Sequence, residues 1–181
     1  MVLIHIAEGF EEIEALTVVD ILRRADVEAK TVSIMGRRHV AGAHGIEITT
    51  DYLQADAPYD QAQMLFLPGG MPGASFLDKD TLLGEKLVEF AEAGKWVVAI
   101  CAAPMVLGHL GIVKGKNATI YPSMEGELKG ANVITDEDVV VDGNIITSRG
   151  PATSMAFALK LVEVLKGKAL ADEIAGNLLY V

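Results

Sequence analysis

The chain has 181 residues, of which 51% are hydrophobic and 22% charged, and 25 acidic residues against 15 basic ones give a formal net charge of −10. This is enough apolar material for a packed core, and the length suits a single domain over residues 1–181. The negative charge argues against nucleic acid or an anionic membrane surface as partner, and one cysteine excludes an intrachain disulfide framework or a zinc site built on several thiolates.

The amino terminus, MVLIHIAEGFEE, has no basic segment ahead of its apolar run, and Glu8 interrupts that run early. It does not read as a signal peptide, and no apolar stretch approaches the roughly 18 to 20 residues of a spanning helix. The expectation is a cytoplasmic protein with a reduced thiol. Residues 2–6 read as a buried strand ending at Glu8-Gly9. Residues 11–25 read as a helix, with Ile13, Leu16 and Ile21 at helical spacing, acids in the first turn and Arg23-Arg24 in the last. Residues 29–35 alternate into a second strand, and residues 39–41 and 46–49 can pair around Gly42 and Gly45. Residues 64–67 form another bare apolar run, closed by the breaker cluster Pro68-Gly69-Gly70-Met71-Pro72-Gly73. A helix over 81–93 and a strand over 95–100 follow, the strand running straight into Cys101. Residues 102–110 read as a helix that tolerates Pro104 in its first turn, and residues 119–121 as a short strand. Residues 139–141 and 145–147 flank the hairpin signal Asp142-Gly143-Asn144. Ser148-Arg149-Gly150-Pro151 leads into helices over 152–165 and 168–178. Short bare strands alternating with helices give an α/β fold, a mainly parallel sheet with helices on both faces.

In such a sheet ligands bind beyond the carboxyl ends of the strands, so the residues that follow each strand carry the functional expectation. Cys101 stands between a buried strand and a helix start, with small Ala102 and Ala103 behind it. That is the layout of a nucleophile elbow, and a helix N-terminus there would lower the thiol pKa; a buried structural cysteine is the alternative. Glu14 shares helical spacing with Val18, Ile21 and Ala25 and so lies on the apolar seam. There it would be a protonated carboxyl donating to sulfur, or else a solvated first-turn acid. Gly69, Gly70 and Ala102 can offer backbone N–H groups to an oxyanion, and Arg149 can bind a carboxylate or phosphate or form an ordinary ion pair. His5, His39, His44 and His109 lack metal-ligand spacing and read as structural or exposed. No nucleotide or metalloprotease motif occurs, so neither cofactor nor metal is expected.

Four ordered segments, Ala7-Glu8-Gly9-Phe10-Glu11-Glu12-Ile13-Glu14, Leu67-Pro68-Gly69-Gly70, Ala99-Ile100-Cys101-Ala102-Ala103-Pro104 and Thr147-Ser148-Arg149-Gly150-Pro151, together resemble the ThiJ/PfpI superfamily, in the branch of the Parkinson-disease protein deglycase. The resemblance implies a flavodoxin-like three-layer sandwich, usually a homodimer. It also implies a nucleophilic Cys101 hydrogen bonded to a protonated Glu14, and an oxyanion pocket of Gly69, Gly70 and Ala102. His44 falls where many relatives place a polar residue near the dimer interface and the site. Ala102 stands where the protease-like branch has a histidine, which ranks a peptidase or amidase last. Tyr121 stands where the deglycase branch often has a histidine, leaving proton transfer to Glu14. The implied function is a cofactor-independent conversion of small carbonyls such as methylglyoxal or glyoxal to hydroxy acids. The alternative is an oxidative-stress sensor or chaperone that uses oxidation of the same cysteine.

Overall fold

The computed structural model describes residues 1–180. Val2–Ile6 forms β1, and all five of its residues are buried because the strand has neighbours on both sides and helices on both faces. The chain then runs through α1 (Glu12–Arg24), β2 (Ala29–Ser33), β3 (His39–Ala41), β4 (Glu47–Thr49) and β5 (Tyr52–Leu53). β6 (Met64–Leu67), α2 (Gly73–Lys79), α3 (Thr81–Glu92), β7 (Trp96–Ile100) and α4 (Pro104–His109) form the middle of the sequence. β8 (Asn117–Ala118), β9 (Asn132–Val133), β10 (Val139–Asp142), β11 (Ile145–Ser148), α5 (Ser154–Lys166) and α6 (Lys168–Asn177) complete it.

The main sheet has the order β10-β11-β7-β6-β1-β2-β5 and is parallel except for the β10–β11 hairpin. α1, α5 and α6 cover one face and α2, α3 and α4 the other, which gives the three layers expected. From β1 the chain winds outward to β2 and then returns to build β6, β7 and β11 on the opposite side. The loops after the neighbouring strands β1 and β6 lead to helices on opposite faces, a topological switch point at the carboxyl end of the sheet, and they pack on each other there, with Glu11 N donating to the Gly69 carbonyl at 2.9 Å. Among the described residues no helix is long and apolar enough to cross a membrane.

Local chemistry explains most element ends. The Glu11 side chain caps α1 by accepting from Ile13 N at 3.5 Å, and Arg23 and Arg24 lie at the negative end of that helix. Asp80 caps α3 by accepting from Leu83 N at 2.7 Å. Phe66 of β6 meets Phe157 of α5 with ring centroids 5.5 Å apart, fixing the sheet against one helical layer. His5 is a core residue: it stacks on Tyr59, and burial lowers its pKa to about 4, so its ring stays neutral.

Several elements differ from the sequence reading. α2 begins at Gly73, the last residue of the breaker cluster, where no helix was expected. Residues 119–121 are not a strand. Thr119 N donates to Thr147 Oγ1 and Tyr121 N to the Cys101 carbonyl, so neither is available for a ladder. The short pairing lies earlier, between β8 and β9. The helix expected from residue 102 begins at Pro104, and the one expected from 152 begins at Ser154 after a 3₁₀ turn, Pro151–Thr153.

Candidate active site

Cys101 leaves β7 with φ of +63°, a left-handed conformation that few non-glycine residues adopt. Two backbone hydrogen bonds hold it there. Its N–H donates to the Ser148 carbonyl at the end of β11 (3.0 Å), and its carbonyl accepts from Tyr121 N (2.8 Å). The small side chains of Ala102 and Ala103 let the chain turn into α4. This is the elbow expected from the sequence, with the thiol nearly buried.

Glu14 comes up from the first turn of α1 and is fully buried. Its Oε2 accepts from Gly69 N at 2.7 Å, and its carboxyl couples to the Cys101 thiol, although Oε1 has no hydrogen bond of ordinary geometry. The three segments meet at Gly69, where no side chain fits. A Cβ there would lie 2.6 Å from Cys101 Cβ, 2.8 Å from Glu14 Oε2 and 3.0 Å from Ala102 N.

Burial raises the Glu14 pKa to about 7, against the opposing pull of the adjacent Cys101 thiol and of the hydrogen bond from Gly69 N. Burial also pushes the Cys101 thiol up, to about 12, and the adjacent Glu14 carboxylate adds to the rise. The N–H groups of Gly70 and Ala102 pull the other way. The expected low-pKa thiol is thus corrected: α4 has only six residues and starts three positions beyond Cys101, so desolvation outweighs its dipole. Protonating Glu14 removes its share of the thiol's rise.

Gly70 and Ala102 turn backbone donors toward the sulfur, whereas Gly69 N–H, expected to face an oxyanion, is engaged by Glu14. Tyr121 is half-exposed, and its ring lies against Gly150. Arg149 is half-buried and, with Tyr121, Pro122 and Asp138, lines a recess of about 310 Å³. Among the described residues it makes no ion pair or side-chain hydrogen bond.

His44 stands at the amino end of α1. Its Nδ1 is 2.9 Å from Glu12 Oε2 and 3.7 Å from Glu11 Oε2, and both acids raise its pKa. Burial works against the Glu12 carboxylate, but the His44 ring and the N–H groups of His44 and Ile46 hold its pKa below the usual value. Glu11, Glu12 and His44 bring three donor atoms within 4.8 Å of one another, the geometry a metal ion could use. The fold thereby gives His44 two acidic neighbours, and His109 gains Asp78 and Glu127 likewise. Nothing in the sequence spacing signals either pairing.

A profile of the DJ-1/PfpI family matches residues 1–164. Protein dj-1beta of Drosophila melanogaster is 38% identical over 178 residues, 98% of this chain and 95% of its own. The crystal structure of that fly protein superposes with a TM-score of 0.94, covering 98% of this chain and 96% of the other. The Parkinson disease protein 7 homolog of Danio rerio is 33% identical over 183 residues, covering 98% of this chain and 95% of its own. An oxidized Toxoplasma gondii DJ-1 superposes with a TM-score of 0.92 at 36% identity, covering 98% of this chain and 97% of the other.

Proposed function

This chain belongs to the DJ-1/PfpI family, and from that premise we propose that it is a single-domain, cofactor-independent enzyme using Cys101 on small reactive carbonyls such as methylglyoxal. One observation carries the reading: a buried carboxyl with a pKa of about 7 is coupled to the thiol of a strand-to-helix elbow. A group that titrates at working pH serves equally as base and acid. The Cys101 sulfur adds to the aldehyde carbon, its proton passes to the new alkoxide through Glu14, and a hemithioacetal forms. The Gly70 and Ala102 N–H groups steady the charge that develops on oxygen. Glu14 as carboxylate then removes the proton from the former aldehyde carbon and returns one to the former ketone carbon. The first carbon is oxidised, the second reduced, and a thioester results. Water cleaves it to lactate and the free thiol, for a net conversion of methylglyoxal and water to lactic acid.

Ala102 leaves no histidine beside the sulfur for peptide cleavage, which disfavours a peptidase. Proton NMR of lactate formed from methylglyoxal is the test. Wild type should produce it, Cys101→Ser should produce none, and turnover in heavy water should place deuterium on lactate C2. Lactate production independent of Cys101, or none by wild type, would refute the reading.

A second reading has its own support in the oxidized Toxoplasma relative and in the two N–H groups directed at the sulfur. Peroxide would oxidise Cys101 to a sulfinate that accepts from those donors and from protonated Glu14. Mild peroxide treatment followed by intact-mass measurement should show a gain of two oxygens, absent from Cys101→Ser.

A further inference from the structure

His109 is the last residue of α4, eight positions beyond Cys101. Its Nδ1 is 2.8 Å from Asp78 Oδ1 of α2, and its Nε2 is 2.8 Å from Glu127 Oε2 of the 3₁₀ turn Glu125–Glu127. A neutral imidazole has one N–H and one lone pair, so one of these two contacts would set a lone pair against a carboxylate oxygen. Only the doubly protonated ring satisfies both. The contacts are partly sheltered, with side-chain exposures of 28% for His109, 23% for Asp78 and 46% for Glu127. The charges acting on the ring are Glu127 and Asp78, which favour its cation, and Lys129, which opposes it.

The three tied segments are the continuations of the three loops at the candidate site. α2 begins three residues after Gly70, and α4 begins three residues after Cys101. The 3₁₀ turn is linked to Tyr121 through Met124 N to the Tyr121 carbonyl (3.0 Å) and Glu127 N to the Met124 carbonyl (2.9 Å). α4 and this turn also touch along the backbone: a Cβ on Gly108 would collide with the Glu127 carbonyl.

We propose that His109 is a pH-operated clasp and a positioning residue, holding α2, α4 and the turn at 125–127 together while its ring is protonated and releasing one of them when the ring loses its proton. The acids raise the His109 pKa above its usual 6.5, so the clasp contributes fully below about pH 6.5 and is lost as the pH rises through the folded value. In that upper range the segment bearing Tyr121 loosens.

Two measurements on the full chain test this, neither depending on catalytic turnover. Histidine NMR should give His109 a pKa above 6.5, and Glu127→Gln, a change on a half-exposed surface turn, should lower it. Amide hydrogen exchange at Tyr121 should then be compared between wild type and His109→Gln at equal pH. Near pH 5 the variant should exchange faster, by about tenfold for each unit that separates the folded from the unfolded His109 pKa. Near pH 9 the two should coincide. The proposal falls if His109 titrates at or below 6.5, or if Glu127→Gln leaves its pKa unmoved. It falls equally if the exchange difference is absent near pH 5 or persists unchanged near pH 9.

Discussion

Burying an ionisable carboxyl leaves a signature in the stability of the whole chain. The folded protein holds the Glu14 proton more tightly than the unfolded one, so this group's contribution falls as the pH rises from about 4.5 and levels off above about 7. The rise corresponds to about 3 kcal/mol, which Glu14→Gln should abolish. Urea unfolding across that range should show wild type losing about 3 kcal/mol relative to the variant. Removing the negative charge should also lower the thiol pKa, so alkylation of Cys101 near pH 9 should speed up. Lactate formation should drop by about 10²- to 10⁴-fold, because the proton carrier is gone. A thiol that becomes more ionised while turnover falls would separate the acid–base role of Glu14 from any effect on sulfur ionisation. The position of Glu14 was legible in its spacing with Val18 and Ile21, and the elbow in the apolar run that ends at Cys101. The thiol pKa was not, because desolvation depends on Gly69 and Glu14, which only the fold brings to the sulfur.

Among the elements, strands buried on both faces announce themselves. β1, β6, β7 and β11 are apolar or β-branched runs interrupted only by His5 and Ser148, and the sheet uses them as its centre. α2 stayed hidden because its start lies inside a cluster of prolines and glycines and has no side-chain cap. Residues 119–121 carry a strand-like pattern, yet their N–H groups serve Thr147 and Cys101 instead of a neighbouring strand. The breaker cluster itself has a packing task, since Gly69 is the point where α1, β6 and the elbow meet. Gly69→Ala should therefore destabilise the chain by about 1–3 kcal/mol through overpacking, read as a lower urea midpoint. It should also weaken the Gly69 N–H to Glu14 bond and lift the Glu14 pKa further, moving the inflection of a turnover–pH profile upward.

For the molecule as a whole, the remaining question is what covers its apolar outer surface. On α1, Ile13 is 56% exposed and Leu16 37%, and Ile46 beside them is 52% exposed. The Ile46 N–H donates to Glu12 Oε1 at 3.4 Å, which ties its segment to the amino end of α1, next to His44. We propose a homodimer through this face; Ile13→Asp should then convert it to monomer in sedimentation velocity. The added charge and the lost apolar side chain at a self-complementary interface are each counted twice, once per subunit. Sequence alone gave the parallel sheet and the four segments that converge at its carboxyl end, but it could not give the partners of His44 and His109, which lie on distant loops. The link between Glu14 and Gly69 joins residues 55 apart in the sequence, just beyond the paired strands β1 and β6. Long-range parallel pairing is slow to nucleate, so a partly folded chain would have an ordinary, readily alkylated thiol. During refolding, the loss of that ordinary reactivity marks the moment at which the two halves of the sheet have found each other, making Cys101 a clock for the chain's own assembly.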